Sequence, residues 1–357
     1  MIEREFSIVI ATYNRPAQIA SALDAIAALR FPRERFEVIV VDDGGKERLD
    51  GHLASFRSSI NLTLLRQKNR GPGTARNNGV RAASGRHLVF TDDDCVFAED
   101  YLQRMQEAVA SWPTSMLGGR TVNALPSNLF STTSQLIVDV VYRFYNPEPE
   151  RATFFTTNNM VLPAQLYRQI GGFDEMFFRA ASEDRELCDR WRQAQLGMRF
   201  VPDAVVYHAH PLTLSSFCRQ HFTYGRGAWR YHRRRAERGT GRLSKDVRLH
   251  ARMLALLQEP LAATPAARRL PVCGALKRQR PTMPQASLPQ AQRHRNVRDA
   301  FAVTRAGRRL AGRTVLLVDD VSTTGATLDA CARALKGAGV KEVRALTAAR
   351  VVSSPRR

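Results

Sequence analysis

Apolar and β-branched residues gather in four short runs near the start of the chain, at Phe6–Thr12, 37–43, 61–67 and 87–94. Such runs predict strands. Between them the apolar spacing lengthens to a helical period. Ile19, Ala22, Leu23, Ile26 and Leu29 share one helix face, and Pro16 suits that helix's first turn. Further helices are predicted over 74–83 and 99–111. Strands alternating with helices predict an α/β fold, a mostly parallel sheet with helices on both faces. Ligands of such sheets bind beyond the carboxyl ends of the strands.

Carboxylates collect at those ends. The first run closes on Thr12-Tyr13-Asn14-Arg15-Pro16, the second on Asp42-Asp43-Gly44-Gly45, and the fourth on Thr91-Asp92-Asp93-Asp94-Cys95. Neighbouring carboxylates repel unless a cation or ligand donors neutralise them. Hard divalent cations prefer such oxygen ligands. In extended chain Asp92 and Asp94 point to the same side. Gly71 and Gly73 in QKNRGPGTARNNG permit close backbone approach, and Arg76 in the first turn of the following helix suits a phosphate or a metal-bound diphosphate. Ser182-Glu183-Asp184 opens a helix that carries Leu187 and Trp191. A carboxylate there serves either as a cap or as a general base. His208 ends the apolar run of VPDAVVYHAH, where a third metal ligand is wanted.

The ordered motifs SIVIATYNRP, EVIVVDDGG, RGPGTARNNG, FTDDDC, TTNNMVLP, GGFDE, SEDREL and VPDAVVYHAH resemble the family 2 glycosyltransferases of the GT-A (Rossmann-like) fold, over about residues 5–232. The resemblance implies a nucleotide sugar, often UDP-linked, whose base and ribose are held by Thr12, Asn14, Arg15 and Asp43, with Asp42 beside them. Lys68 and Arg76 would lie near the nucleotide. Asp92 and Asp94 would be the metal pair for Mg²⁺ or Mn²⁺, Asp92 also reaching the ribose, and His208 a further metal ligand. Asp184 would be the catalytic base of an inverting displacement. Asn159 and Gly172 would line the sugar or acceptor side, and the acceptor would be a saccharide or a lipid-linked glycan. Processive relatives add a Q-x-x-R-W segment and membrane helices. Neither is found, which argues for transfer of a single sugar.

Composition changes the picture after Ala228. RYHRRRAER at 230–238 is a basic run, and 258–290 is rich in Pro, Ala, Arg and Gln. The expected division is a glycosyltransferase domain at 1–236, a basic linker or helix at 237–260, and a further domain at 261–357. Order returns in TVLLVDDVSTTGAT, a strand, a Thr/Gly turn and a helix start. Backbone N–H groups from Ser322 to Ala326, including Gly325, and the hydroxyls of Thr323, Thr324 and Thr327 can cradle a terminal phosphate there. Asp319 and Asp320 suit ribose hydroxyls. The segment resembles the PRPP-binding motif of type I phosphoribosyltransferases. With LKRQRPTMPQ and RHRNVRDAF it resembles their ComF-like members, over about residues 248–350. Those members place a pyrophosphate-binding loop ahead of these segments. Here glycosyltransferase sequence stands in its place, so an incomplete α/β phosphoribosyltransferase-type unit is expected, with PRPP chemistry or a competence-associated role as the alternative function.

With 54 basic and 33 acidic residues the chain carries +21, which favours polyanionic partners. A nucleic-acid surface interleaves basic residues with stacking aromatics, and only Trp229, Tyr231 and their Arg neighbours do so, which makes nucleic acid an unlikely partner. Cys95, Cys188, Cys218, Cys273 and Cys331 are odd in number and form no C-x-x-C pair, which argues against a disulfide framework or zinc ribbon. The opening MIEREFSIVIAT has no signal-peptide layout. No apolar stretch reaches the roughly 20 residues that span a bilayer. A cytoplasmic location is expected, with peripheral contact at the inner face of an anionic membrane.

Overall fold

A computed structural model describes residues 4–178, 181–240, 273–283, 288–322 and 325–350. The chain divides into two compact units, Met1–Phe217 with Arg226–Leu261, and Cys218–Gly225 with Ala262–Arg357.

The first unit holds β1 (Phe6–Thr12), β2 (Phe36–Asp42), β3 (Leu62–Arg66), β4 (His87–Asp92), β5 (Cys95–Phe97), β6 (Met116–Asn123), β7 (Met160–Pro163) and β8 (Met198–His208). Its helices are α1 (Pro16–Ala27), α2 (Asp50–Leu53), α3 (Pro72–Ala82), α4 (Tyr101–Ser111), α5 (Leu129–Tyr145), α6 (Ala164–Gln169) and α7 (Glu183–Gln193), and α8 (Leu214–Glu237) runs across the division. The strands form one sheet in the order β3-β2-β1-β4-β7-β6-β8-β5. The β3-β2-β1-β4 half is parallel. Beyond it β7 runs antiparallel to β4 and β6, β8 parallel to β6, and β5 antiparallel to β8.

Why these runs sit centrally follows from the pleat, which sends alternate side chains to opposite faces. Ile8, Ile10, Val38 and Val40 pack against Ile19, Leu23 and Ile26 of α1 and Leu102 and Met105 of α4. Val9, Ile39, Val41 and Phe90 face the other way, onto Ala75 and Val80 of α3 and Leu187 and Trp191 of α7. Both faces are covered, so both parities are apolar. Helix α3 approaches so closely that a Cβ at Gly79 would stand 2.6 Å from Val9 Cγ1. It starts two residues before the predicted Thr74, because Gly71 turns at φ +88° and Pro72 takes the first position. Strand β4 stops at Asp92 rather than 94, since residues 93 and 94 form a turn into β5.

In the second unit β9 (Leu276–Arg278) pairs antiparallel with β10 (Phe301–Val303), and β11 (Thr314–Ser322) pairs parallel with β12 (Glu342–Arg350). The helix Ala326–Gly337 joins the last two strands and buries Ala326, Ala330 and Leu335. The strand and the helix expected here are therefore present, while residues 323–324 of the expected turn lie outside the described residues. Residues 241–260 of the expected linker lie outside the described residues, while α8 carries the chain through Glu237. Among the described residues no helix is long and apolar enough to cross a membrane.

Trp191 is fully buried, and its Nε1 donates to the Gly197 carbonyl at 2.8 Å. Trp191→Ala is expected to lower stability by about 3–5 kcal/mol. The shift of a urea unfolding midpoint followed by circular dichroism checks this.

Candidate active site

The carboxyl ends of β1, β2 and β4 carry the predicted carboxylates, and local geometry sorts them. Because the chain turns after Asp92, strict alternation ends there. Asp93 and Asp94, not Asp92 and Asp94, share one partner: Arg15 Nη1 donates to Asp93 Oδ1 and to Asp94 Oδ2, both at 2.9 Å. Thr12 Oγ1 donates to Asp93 Oδ2 at 2.6 Å. Asp93 was not singled out in the sequence, although the unbroken Asp run is its signal. Burial pushes the Asp93 carboxyl above its usual range against the pull of Arg15 and Thr12.

Asp94 faces two rings. His208 Nε2 is 3.1 Å from Asp94 Oδ1, and His210 Nδ1 is 3.2 Å from Oδ2. The antiparallel register of β5 on β8 sets Cys95 opposite His208. The Ala209 amide donates to the Asp94 carbonyl at 2.8 Å. Ligand atoms of Asp94, Cys95 and His208 all lie within 4.8 Å of one another. Burial alone would raise the Asp94 carboxyl, but the hydrogen bonds from His208 and His210 outweigh it and hold the group well below the usual carboxylate range. Burial opposes charge on His208, yet Asp94 raises its pKa. His210 and Cys95 join the predicted His208 here, the first signalled by the second His of the H-A-H pattern.

Asp92 takes a different partner. Arg76 Nη2 donates to Asp92 Oδ1 at 2.7 Å, and Arg76 Nη1 donates to Glu183 Oε1 at 3.2 Å. The Arg76 side chain is only 4% exposed. Its Nη atoms are engaged with carboxylates inside the unit, Asp92 among them. Glu183 Oε2 also accepts from the Ala181 amide at 2.8 Å. Asp184 follows in the first turn of α7, and its Oδ1 accepts from the Arg185 amide at 2.7 Å. Burial first, then the charge of Glu183, push the Asp184 pKa up to about 7.

The other predicted residues divide between the mouth of the site and the frame. Asn14 is exposed at φ +56°, and its Oδ1 accepts from the Lys46 amide at 2.7 Å. Tyr13 beside it is 47% exposed. Lys68 is exposed. Asp42 Oδ1 accepts from the Gly45 amide at 2.7 Å, while its Oδ2 stands 3.4 Å from Arg66. Asp43 accepts from Gln67 Nε2 and from the amides of Arg70 and Gly71, at 2.8, 2.9 and 2.8 Å, so both its oxygens shape the loop before α3. Asn159 requires a correction. It is 0% exposed, accepts from the Tyr101 hydroxyl at 2.8 Å, and donates to the carbonyls of Arg120 and Ala204 at 3.1 and 3.3 Å. It knits β6 and β8 to α4 rather than lining the sugar. Gly172 is buried at φ +69° against Asn77 of α3 and Tyr167 of α6.

In the second unit Asp319, Asp320 and Ser322 lie on β11, and Gly325 caps the following helix at φ +75° ahead of Ala326 and Thr327. Thr323 and Thr324 lie outside the described residues.

A mostly parallel sheet of this order matches the GT-A (Rossmann-like) architecture. Residues 7–171 match the model of the family described as Glycosyl transferase family 2, and residues 262–356 that described as Phosphoribosyl transferase domain. The chain carries a family 2 glycosyltransferase domain followed by a phosphoribosyltransferase-type domain. It is 25% identical over 172 residues to the poly(ribitol-phosphate) beta-N-acetylglucosaminyltransferase TarS of Staphylococcus aureus, covering 45% of this chain and 30% of TarS. It is 29% identical over 209 residues to the validoxylamine A glucosyltransferase of Streptomyces hygroscopicus subsp. jinggangensis, covering 51% of this chain and 50% of that one. Thus the chain spans half or less of the length of these curated relatives. The solved mannosyltransferase PcManGT from Pyrobaculum calidifontis, in complex with GDP-Man and Mn²⁺, matches the fold with a TM-score of 0.55 at 18% identity, over 76% of this chain and 77% of that one.

Asn159→Ala strands the Tyr101 hydroxyl and two carbonyls. It is expected to lower stability by about 1–3 kcal/mol while leaving donor affinity within twofold. Chemical unfolding and a donor titration, run side by side, check both parts.

Proposed function

We propose that the first unit moves a sugar, of the hexosyl type, from a nucleotide-diphosphate sugar to an acceptor hydroxyl with inversion at the anomeric carbon. The observation that carries this reading is Asp184. It is a carboxylate with a pKa near neutrality on a helix that Arg76 ties to Asp92 at the end of β4. A base is most effective when its pKa lies near the working pH. The family match and the names of the relatives support the same reaction class.

In this reading Tyr13, Asn14, Arg15 and Asp42 border the base and ribose, with Thr12 and Asp43 fixing the walls behind them and Lys68 at the rim. UDP is the nucleotide we favour, on the motif resemblance. Asp184 removes the proton of the acceptor hydroxyl. The acceptor oxygen forms its bond to the anomeric carbon on the face opposite the leaving group. The bond to the diphosphate oxygen breaks, and its electron pair leaves with the nucleoside diphosphate. The proton remains on Asp184 until it passes to water. The donor set of Asp94 and His208, with Asp94 held ionised, fits a divalent cation. Asp92, Asp94 and His208 would hold it, and Mg²⁺ or Mn²⁺ would neutralise charge on the departing diphosphate. The Mn²⁺ and GDP-Man of the mannosyltransferase complex support this assignment. The acceptor is a saccharide or a lipid-linked glycan. Trp229, 63% exposed on α8 among Arg226, Arg230 and Arg233, supports peripheral contact with anionic lipid. For residues 262–356 the family match and the glycine-capped helix favour binding of a terminal phosphate.

A panel of nucleotide sugars with Mn²⁺ or Mg²⁺ is expected to show metal-dependent release of nucleoside diphosphate. The Asp92→Asn, Asp94→Asn double variant is expected to lose this by 100-fold or more, an order-of-magnitude figure. Release that persists undiminished in the variant would sink the reading. The pH dependence has a definite sign. Asp184 must be deprotonated to act, so kcat/KM is expected to rise from low pH and level off above about 7. Asp184→Asn is expected to abolish that limb together with transfer.

A further inference from the structure

Arg76 is the most deeply enclosed cation near the site, and its two carboxylate partners come from different parts of the chain. One is Asp92 at the end of β4, the other Glu183 at the start of α7. Its guanidinium lies 5.6 Å from the centre of the Phe173 ring, so protein rather than water borders it. A planar fork of this kind spans two carboxylates in fixed directions, as a lysine ammonium does not. Breaking such a buried pair leaves an uncompensated charge, so the three groups act as one unit.

We infer that Arg76 and Glu183 are positioning residues. The buried bridge Asp92–Arg76–Glu183 fixes the first turn of α7 to the donor end of β4, and thereby sets the placement and protonation of Asp184. The inference rests on the reading of Asp184 as the base, and goes beyond it by assigning two groups that position that base.

The electrostatics follow from the placement. Asp184 stands beside Glu183, whose negative charge opposes its ionisation. The amide and the charge of Arg185 on α7, and after them the charge of Arg76 on α3, favour ionisation. Among the described residues, Tyr142 of α5 and Cys188 of α7 are further titratable groups that feel its charge. Arg76 offsets Glu183, so losing either partner moves Asp184 in opposite directions. Without the Glu183 charge the base ionises more easily. Without Arg76 the base faces an unscreened Glu183 and ionises less easily. A bridge that only braces the fold predicts instead that both losses act alike, through stability. Asp92 adds a second distinction. Glu183→Gln leaves the Asp92–Arg76 bond in place, whereas Arg76→Met releases Asp92 as well.

The experiment is a pH titration of the Asp184 carboxyl in the full chain, read by carbon NMR with labelled aspartate and assigned with Asp184→Asn. It is run on wild type, Glu183→Gln, Arg76→Met and Arg76→Lys. The expected result is a midpoint lowered by about one unit in Glu183→Gln and raised by about one unit in Arg76→Met. Arg76→Lys is expected between wild type and Arg76→Met, and serves as the informative variant if Arg76→Met does not fold. In parallel kinetics, Glu183→Gln is expected to move the acid limb with donor KM within twofold, while Arg76→Met raises donor KM as well. Midpoints that stay put, or that move the same way in both single variants, overturn the inference. Donor turnover by wild type, measured alongside, tests the underlying function separately, because the titration needs no turnover.

Discussion

Packing three consecutive aspartates at the end of a buried strand is the constraint on which this site depends. At full charge they repel one another, and burial costs each of them solvation. The protein answers with two arginines from different helices. Arg15, just before α1, holds Asp93 and Asp94, while Arg76 within α3 holds Asp92. Each arginine therefore pins a helix to the same strand end. The turn at residues 93 and 94 ends the strict alternation of the strand, and the three carboxylates meet two different arginines.

From that division the rest of the site takes its form. Asp94 is left facing β8, where His208 and His210 approach it from a strand in register with β5. Asp92 is left facing α7, where Glu183 shares its arginine. The proposed cation site and the proposed base thus adjoin the same short segment, with Asp92 common to both. Asp43 does comparable work one strand over. Its three accepted hydrogen bonds draw the 67–71 loop against the end of β2 and set where α3 begins.

Much of this was legible in the sequence because the strands are short, apolar and separated by turn residues. β1 has the predicted bounds, and β2 and β3 differ by a residue at their ends. The family resemblance singled out the Asp run, Asp184 and His208. What could not be read was which carboxylate meets which cation. Pairing depends on the turn after Asp92, and the strand pattern gave no sign that alternation stops there. Arg76 looked like a phosphate ligand because an arginine in the first turn of a helix is usually exposed. Its burial arises from α7, more than 100 residues later in the chain. Asn159 misled for a similar reason: a polar residue before a strand reads as a ligand contact, yet here it satisfies buried groups from three elements.

The same logic bears on why a charged bridge stands where an apolar contact would be more stabilising. Well-packed hydrophobic residues often equal or exceed a buried ion pair in stability. An apolar replacement at Arg76 would leave Asp92 and Glu183 uncompensated at the two ends of the site. Removing all three would take away a carboxylate of the strand end itself. The cost of burying Arg76 is therefore tied to holding Asp92 at the strand end and Glu183 beside Asp184. A carboxyl with a near-neutral pKa and an ionised one can then coexist within one small site, the first held there by burial and the charge of Glu183, the second by the hydrogen bonds of His208 and His210.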